Sequence, residues 1–383
     1  MWDVAERVIQ IEPLQVPHGV FRIFAVNDNR LPGPAQRLYG PQIGYSRRRR
    51  LMAGREIAGE RGRVMGTRPK AVIGTAEARR ARPHEPDITR APQPQTPVNF
   101  EMPADACDCH THIHGNQLQF PYFAGRKYTP GVAAPEEMAA LHRALHVRRV
   151  VIVTPSVYGA DNAATLYGMR ARGADARGVA VISDDTSEAE LDAMQAAGVR
   201  GIRMNLTTSH SNDPVLARQQ FQAVVERVAP RGWHVQLYTN LTVIARLRGF
   251  VAVSPVPVVF DHFGGAQAEL GLEQPGFRDL IALVRSGKAY VKISGAYRVS
   301  KRGPEFPDAA PLARALVEAN AERVVWGSDW PHPNSNPGIP LSEVAPFYPI
   351  DDGLLLNQLP LWAPDAATRK AILVDNPARL YGF

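Results

Sequence analysis

Cysteine is almost absent: the 383 residues carry two, Cys107 and Cys109, so no disulfide framework can be the source of stability. The pair falls two apart on a predicted strand with no second cysteine pair to complete a metal site, and both are read as reduced core residues. Long apolar runs are missing as well, since no stretch approaches the roughly 20 residues that a membrane-spanning helix needs. Nor does a Gly-rich phosphate turn follow the first predicted strand, which argues against an open dinucleotide-binding sheet. What the chain does have is an ordinary globular balance, 45% hydrophobic and 21% charged, enough to bury a sizeable core.

Charge is placed unevenly. Of the formal +7, residues 46–90 hold twelve Arg and one Lys against five acidic residues, which leaves the rest of the chain close to neutral. Nucleic-acid binding through this segment would call for interleaved aromatics or a recognisable binding fold, and neither is seen. Residues 46–51, S-R-R-R-R-L, are similar to the opening of a twin-arginine export signal. The run of about 7–15 apolar residues that should follow is broken by Arg55, Glu56, Glu60, Arg61 and Arg63. The segment is therefore expected to be a poorly ordered basic extension, or sequence translated upstream of the true start. That favours a cytoplasmic location, with the periplasm as the alternative if the arginine segment functions. Pro83, Pro86, Pro92, Pro94 and Pro97 make a Pro-rich linker with little regular structure. The sequence thus divides into an extension, 1–103, and a catalytic domain, 104–383.

From residue 105 onward, short runs rich in Val, Ile and aromatics alternate with amphipathic stretches, the pattern of parallel βα units. Eight such runs are predicted as strands: 106–113, 149–154, 178–183, 199–205, 233–238, 256–261, 289–294 and 323–327. Helical stretches between them include 135–146, 187–197, 214–228, 277–286 and 309–320. Eight alternations predict an α/β fold of the closed (β/α)₈ TIM-barrel type, whose chemistry sits at the C-terminal ends of the strands.

Those ends carry the polar residues. Asp108, His110 and His112 fall two apart on the first strand, so an extended backbone would aim all three to one face and Cys107, Cys109 and Thr111 to the other. Several ionisable groups in phase would be a poor way to fill a core, and both histidines are read as lining the barrel mouth. The sixth strand ends in Asp261-His262-Phe263-Gly264-Gly265, and the eighth runs into Gly327-Ser328-Asp329-Trp330-Pro331-His332-Pro333-Asn334. Histidines from strands one and six with an Asp after strand eight form a set able to polarise a carbonyl and activate water.

Together with Thr154-Pro155-Ser156, Asp161-Asn162 and the stretches 201–205, 292–298 and 375–381, these motifs make residues 105–383 resemble the amidohydrolase superfamily. Within it, the chain is similar to the family containing 2-pyrone-4,6-dicarboxylate lactonase and sugar-lactone hydrolases. The resemblance implies that His110, His112 and His262 surround a lactone carbonyl as hydrogen-bond donors. It implies that Asp329 is the general base on the attacking water, a task suited to an unpaired carboxylate. Substrate-positioning roles fall to Tyr128, Ser156, Arg203, Tyr238, Arg298 and Asn334. Arg203 and Arg298 would grip a substrate carboxylate through paired hydrogen bonds, whereas Arg200 falls on the opposite face of its strand. Ser209 stands where the dicarboxylate lactonases carry another arginine, so a substrate with one carboxylate, or a differently placed anion, is expected.

Metal-dependent members of the superfamily draw ligands from the strand-one histidines, a strand-four Lys or Glu, a strand-five His and the strand-eight Asp. Strand four here ends in Arg203-Met204-Asn205, and strand five has His234 at its beginning and Tyr238 near its end, a pattern that excludes a binuclear centre. The preferred reading has no metal. The alternative is mononuclear zinc on His110, His112 and Asp329, with His262 as a further ligand. The expected activity is hydrolysis of a small anionic lactone, a cyclic ester, with neither nucleic acid nor membrane as partner. Metal-dependent decarboxylation or hydration of an aromatic-acid metabolite is the alternative enzyme class, and the missing strand-five ligand counts against it.

Overall fold

The computed structural model describes residues 90–207, 214–335 and 338–383. Most of the arginine-rich segment, the twin-arginine-like motif and Ser209 lie outside the described residues. Eight parallel strands form in the predicted order: β1 (Cys107–Thr111), β2 (Arg149–Val153), β3 (Ala176–Ala180), β4 (Val199–Asn205), β5 (His234–Tyr238), β6 (Val258–Phe260), β7 (Ala289–Ser294) and β8 (Val324–Gly327). Each pairs with the next, and helices α1 (Pro135–Ala144), α2 (Ala163–Arg172), α3 (Glu188–Ala196), α4 (Pro214–Val228), α5 (Leu241–Ala252), α6 (Phe277–Arg285), α7 (Ala296–Val299) and α8 (Ala310–Asn320) lie between them. No helix among the described residues is long and apolar enough to cross a membrane.

Local sequence explains where these elements start and stop. Ser187 caps α3 by accepting the Glu190 amide at 3.2 Å, while Glu190 accepts the Ser187 amide at 2.7 Å, a reciprocal capping box. In α6, Phe277, Leu280, Leu283 and Val284 recur at helical spacing and are buried against the barrel. The third strand lies earlier than the 178–183 predicted. Ala176 and Arg177 pair with Val150 and Val151, and at its far end the Asn162 side chain takes the place of a neighbouring strand, bonding both the amide and the carbonyl of Val181 at 2.9 Å.

Strand one departs from simple alternation. Its register with β2 shifts between Asp108 and Thr111, a bulge that changes the phase of the side chains. Cys107 and Cys109 join Val151, Val153, Val179, Val259, Tyr290, Val325 and Tyr381 in an apolar cluster. Asp108 instead meets His142 of α1 at 3.3 Å and Ser328 at 2.5 Å. The expectation that Asp108 shares a face with both histidines is therefore corrected, while His110 and His112 still converge, each 3.6 Å from Asp329 Oδ1.

The segment after β8 closes the barrel. The Asp329 amide donates to His110 O and the His112 amide to Trp330 O, both at 2.9 Å. Asp108 Oδ1 reinforces this seam by accepting the amides of His110 at 3.1 Å and Ser328 at 2.9 Å. Closure and placement of Asp329 are thus one event.

The Pro-rich stretch from residue 91 has no helix or strand, as expected, yet it is pinned to the barrel. Trp330 Nε1 donates to Pro92 O at 2.9 Å, Thr96 bonds Asp351 through its amide and hydroxyl, and Asn357 bonds both Asn99 and Pro97. Removal of residues 1–103 is expected to lower the unfolding free energy by about 1–3 kcal/mol relative to removal of residues 1–89, because Trp330 Nε1 loses its acceptor and Asp351 its donors. Denaturant unfolding of the two proteins measures this, and identical midpoints would contradict the docking role.

Candidate active site

His112, Tyr128, Ser156, Arg203, Tyr238, His262 and Arg298, seven of the residues singled out in the sequence, line one cleft with Pro155, Asn205, Pro333 and Ser335. Asn334 lies between two lining residues without itself lining the cleft. His110 and Asp329 are fully buried and touch its walls. Asp329 Oδ1 lies 3.6 Å from His110 Nε2, 3.6 Å from His112 Nε2 and 3.9 Å from His262 Nε2. Strands one, six and eight deliver these four groups to one point.

Each imidazole is held from behind. His112 Nδ1 donates to the Val153 carbonyl at 2.7 Å, since a carbonyl can only accept. His262 Nδ1 faces Ser294 O at 3.3 Å and Ser294 Oγ at 3.0 Å. His110 Nδ1 lies 3.2 Å from Asp261 Oδ1 and 3.2 Å from Lys292 Nζ, an ammonium that can only donate. With the hydrogen on Nδ1, the neutral His112 and His262 rings turn an Nε2 lone pair toward Asp329 Oδ1, whereas His110, whose Nδ1 accepts from Lys292, turns its Nε2–H toward it. Burial lowers the proton affinity of all three, with Lys292 adding to the effect at His110, and His262 falls to about 4.

Such a cluster attracts positive charge. His110 Nε2 and Asp329 Oδ1 have no hydrogen-bond partner among the described residues. The trio whose ligand atoms lie within 4.8 Å of one another is His110, His262 and Asp329, so His262 replaces His112 in the expected set.

Asp329 is also not the unpaired carboxylate expected. Its Oδ2 accepts from Tyr297 OH at 2.6 Å and from Arg298 Nε. Burial alone would raise its pKa, but the Arg298 guanidinium, helped by His262 and His112, holds it well below the usual carboxylate range. Arg203 is likewise anchored, its Nε donating to Asp261 Oδ2 at 3.1 Å while its guanidinium stacks 4.9 Å from the Tyr238 ring centre. Both arginines reach the cleft with their remaining donors while tied at Nε to a buried carboxylate.

Sequence reasoning assigned no role to Asp261, Gln236, Lys292 or Tyr297. Lys292 is fully buried, donating to Cys109 O at 2.8 Å and Gln236 Oε1 at 2.7 Å, and lies 3.5 Å from Asp261 Oδ1. Gln236 Nε2 donates to Asp261 Oδ2 at 3.0 Å. The available signal was a lone polar residue inside each apolar strand, Gln236 in H-V-Q-L-Y and Lys292 in A-Y-V-K-I-S.

The sequence family model described as amidohydrolase matches residues 107–383. A 2-pyrone-4,6-dicarboxylate hydrolase of Comamonas testosteroni is 35% identical over 291 residues, covering 74% of this chain and 92% of that protein. A 4-sulfomuconolactone hydrolase of Hydrogenophaga intermedia is 33% identical over 290 residues, covering 75% and 91%. Among solved structures, an Agrobacterium tumefaciens protein in its apo form superposes with a TM-score of 0.62 at 26% identity, covering 75% of this chain and 98% of that one.

His234, at the opposite end of β5 from the cleft, packs edge-on against Tyr381. Burial, reinforced by the Lys292 charge, lowers its pKa from 6.5 to about 3. As pH falls below 6.5 the unfolded chain takes up this proton first, so its contribution is complete above that value and is lost on the way down to about 3. His234→Gln is expected to reduce the pH dependence of stability over that range by up to about 1.4 kcal/mol per pH unit. Urea unfolding at pH 7 and pH 5 tests this, and an unchanged pH dependence would contradict a neutral buried ring.

Proposed function

Because the chain belongs to the amidohydrolase family, we propose that it is a lactonase that opens a carboxylate-bearing lactone by attack of water at the ring carbonyl. One observation carries this reading: a buried carboxylate oxygen, Asp329 Oδ1, faces three imidazole nitrogens beside a cleft that two arginines line. The lactone substrates named for the relatives support it. Arg203 and Arg298 hold the substrate carboxylate, and Tyr128, Ser156 and Tyr238 shape the cleft around the ring. Water sits against Asp329, which takes its proton as the oxygen attacks. The carbonyl oxygen becomes an oxyanion at the imidazole cluster, and the ring oxygen leaves as a hydroxyl, taking the proton that Asp329 removed from water.

The oxyanion requires a hydrogen-bond donor or a positive charge beside it. A neutral His110 with its hydrogen on Nε2, its Nδ1 accepting from Lys292, supplies the donor without any cofactor, and this is the reading we prefer. The convergence of donors favours a second reading, in which His110, His262 and Asp329, with His112 nearby, hold a divalent cation. Such a cation would supply Lewis-acid polarisation of the carbonyl. Metal analysis of the purified protein with assay after chelation separates the two: activity in metal-free protein supports the His110 donor, and loss restored by zinc supports the cation.

Asp329→Asn keeps the side-chain shape and removes the proton acceptor. We expect kcat on a carboxylated lactone to fall by about 10² to 10⁴ with little change in KM. Near wild-type turnover by this variant would remove Asp329 from the role of base.

A further inference from the structure

Arg298 performs two tasks that compete. Its Nε donates to Asp329 Oδ2, on the carboxylate that must accept a proton, and Tyr297 OH shares that oxygen at 2.6 Å. The same side chain lines the substrate cleft. Arg298 also lines a second cleft together with Gln267, Glu269, Ser300 and Lys301. A carboxylate tied to a guanidinium and a phenol is a weaker proton acceptor than one released from the guanidinium. A buried guanidinium offered a second carboxylate divides its attraction between the two.

Resting on the lactonase reading above, we propose that Arg298 is a specificity gate: it restrains Asp329 in the free enzyme and transfers its hydrogen bonds to the substrate carboxylate, so that the base is released only when an anionic lactone is bound. The binding energy of a group remote from the reacting carbonyl is thereby spent on the chemical step. A neutral lactone fills the cleft without drawing Arg298 away, and it loses turnover as well as affinity. A static clamp that merely bridges the two carboxylates makes the opposite prediction, in which a missing substrate carboxylate raises KM and leaves kcat alone.

The experiment compares two lactones of the same ring, one with and one without a carboxylate, on the wild-type enzyme and on Arg298→Met and Arg298→Lys. In the wild type, kcat for the carboxylated lactone should exceed that for the neutral one by about 10² or more, the scale on which a positioned base acts. In Arg298→Met the kcat ratio should collapse to within about tenfold while KM for the carboxylated lactone rises, because nothing restrains Asp329 in either complex. Arg298→Lys keeps the charge beside Asp329 but has no planar fork to divide between two carboxylates, so it should lose the ratio by becoming slow on both. It also serves as the readout if the Met variant fails to fold, as judged by circular dichroism. Equal wild-type kcat values for the two lactones, or a wild-type ratio that survives in a folded Arg298 variant, overturn the gate and leave the lactonase reading standing. Failure of the wild type to hydrolyse any carboxylated lactone overturns both.

Discussion

Burial of the Asp329 carboxylate is the constraint on which the rest of the structure depends. A charged group withdrawn from water must be paired, and here the pairing is divided between the two oxygens. Oδ2 takes Arg298 and Tyr297, while Oδ1 faces three imidazoles that are all neutral at neutral pH. The backbone bends to permit this. Asp329 and His262 sit at φ 68° and 48°, the left-handed region that side chains seldom adopt and that concentrates at functional sites. The amide of Asp329 then bonds to His110 O, so the residue that gives the site its charge also closes the barrel.

A second buried carboxylate supports the first from behind. Asp261 gathers His110, Arg203, Gln236 and Lys292. Burial would raise its pKa, but His110 and the Lys292 and Arg203 cations keep it charged. It lies 3.2 Å from His110 Nδ1, and through Arg203 it fixes one wall of the cleft. Lys292 lies in the barrel interior with its proton affinity lowered by burial, and it supplies the counter-charge that makes two carboxylates tolerable so close together. The apolar cluster around Cys107 and Cys109 completes the barrel interior.

The eight strands and the four central residues were legible in the sequence because each depends on a local signal. Alternating apolar runs mark the strands, and His110, His112, His262 and Asp329 stand at or just beyond strand ends, where a barrel exposes its chemistry. Relations between elements were not legible. Alternation on β1 would have placed Asp108 beside the histidines, and only the register shift against β2 reveals that it faces α1 and Ser328 instead. Arg298 and Asp329 are 31 residues apart, and nothing in either motif says that one restrains the other. The tautomers of the three imidazoles follow from Val153, Ser294 and Lys292, whose contacts exist only once the strands lie side by side.

The central claim is that water, placed by Asp329, attacks a lactone carbonyl. Hydrolysis of a carboxylated lactone in ¹⁸O-labelled water, followed by mass spectrometry of the product, tests it most directly. One labelled oxygen in the newly formed carboxylate and none in the released hydroxyl is the predicted result. Label in the hydroxyl would mean that the ring opened on the alkyl side, which a carboxylate that aims water at a carbonyl does not explain and which would contradict the account.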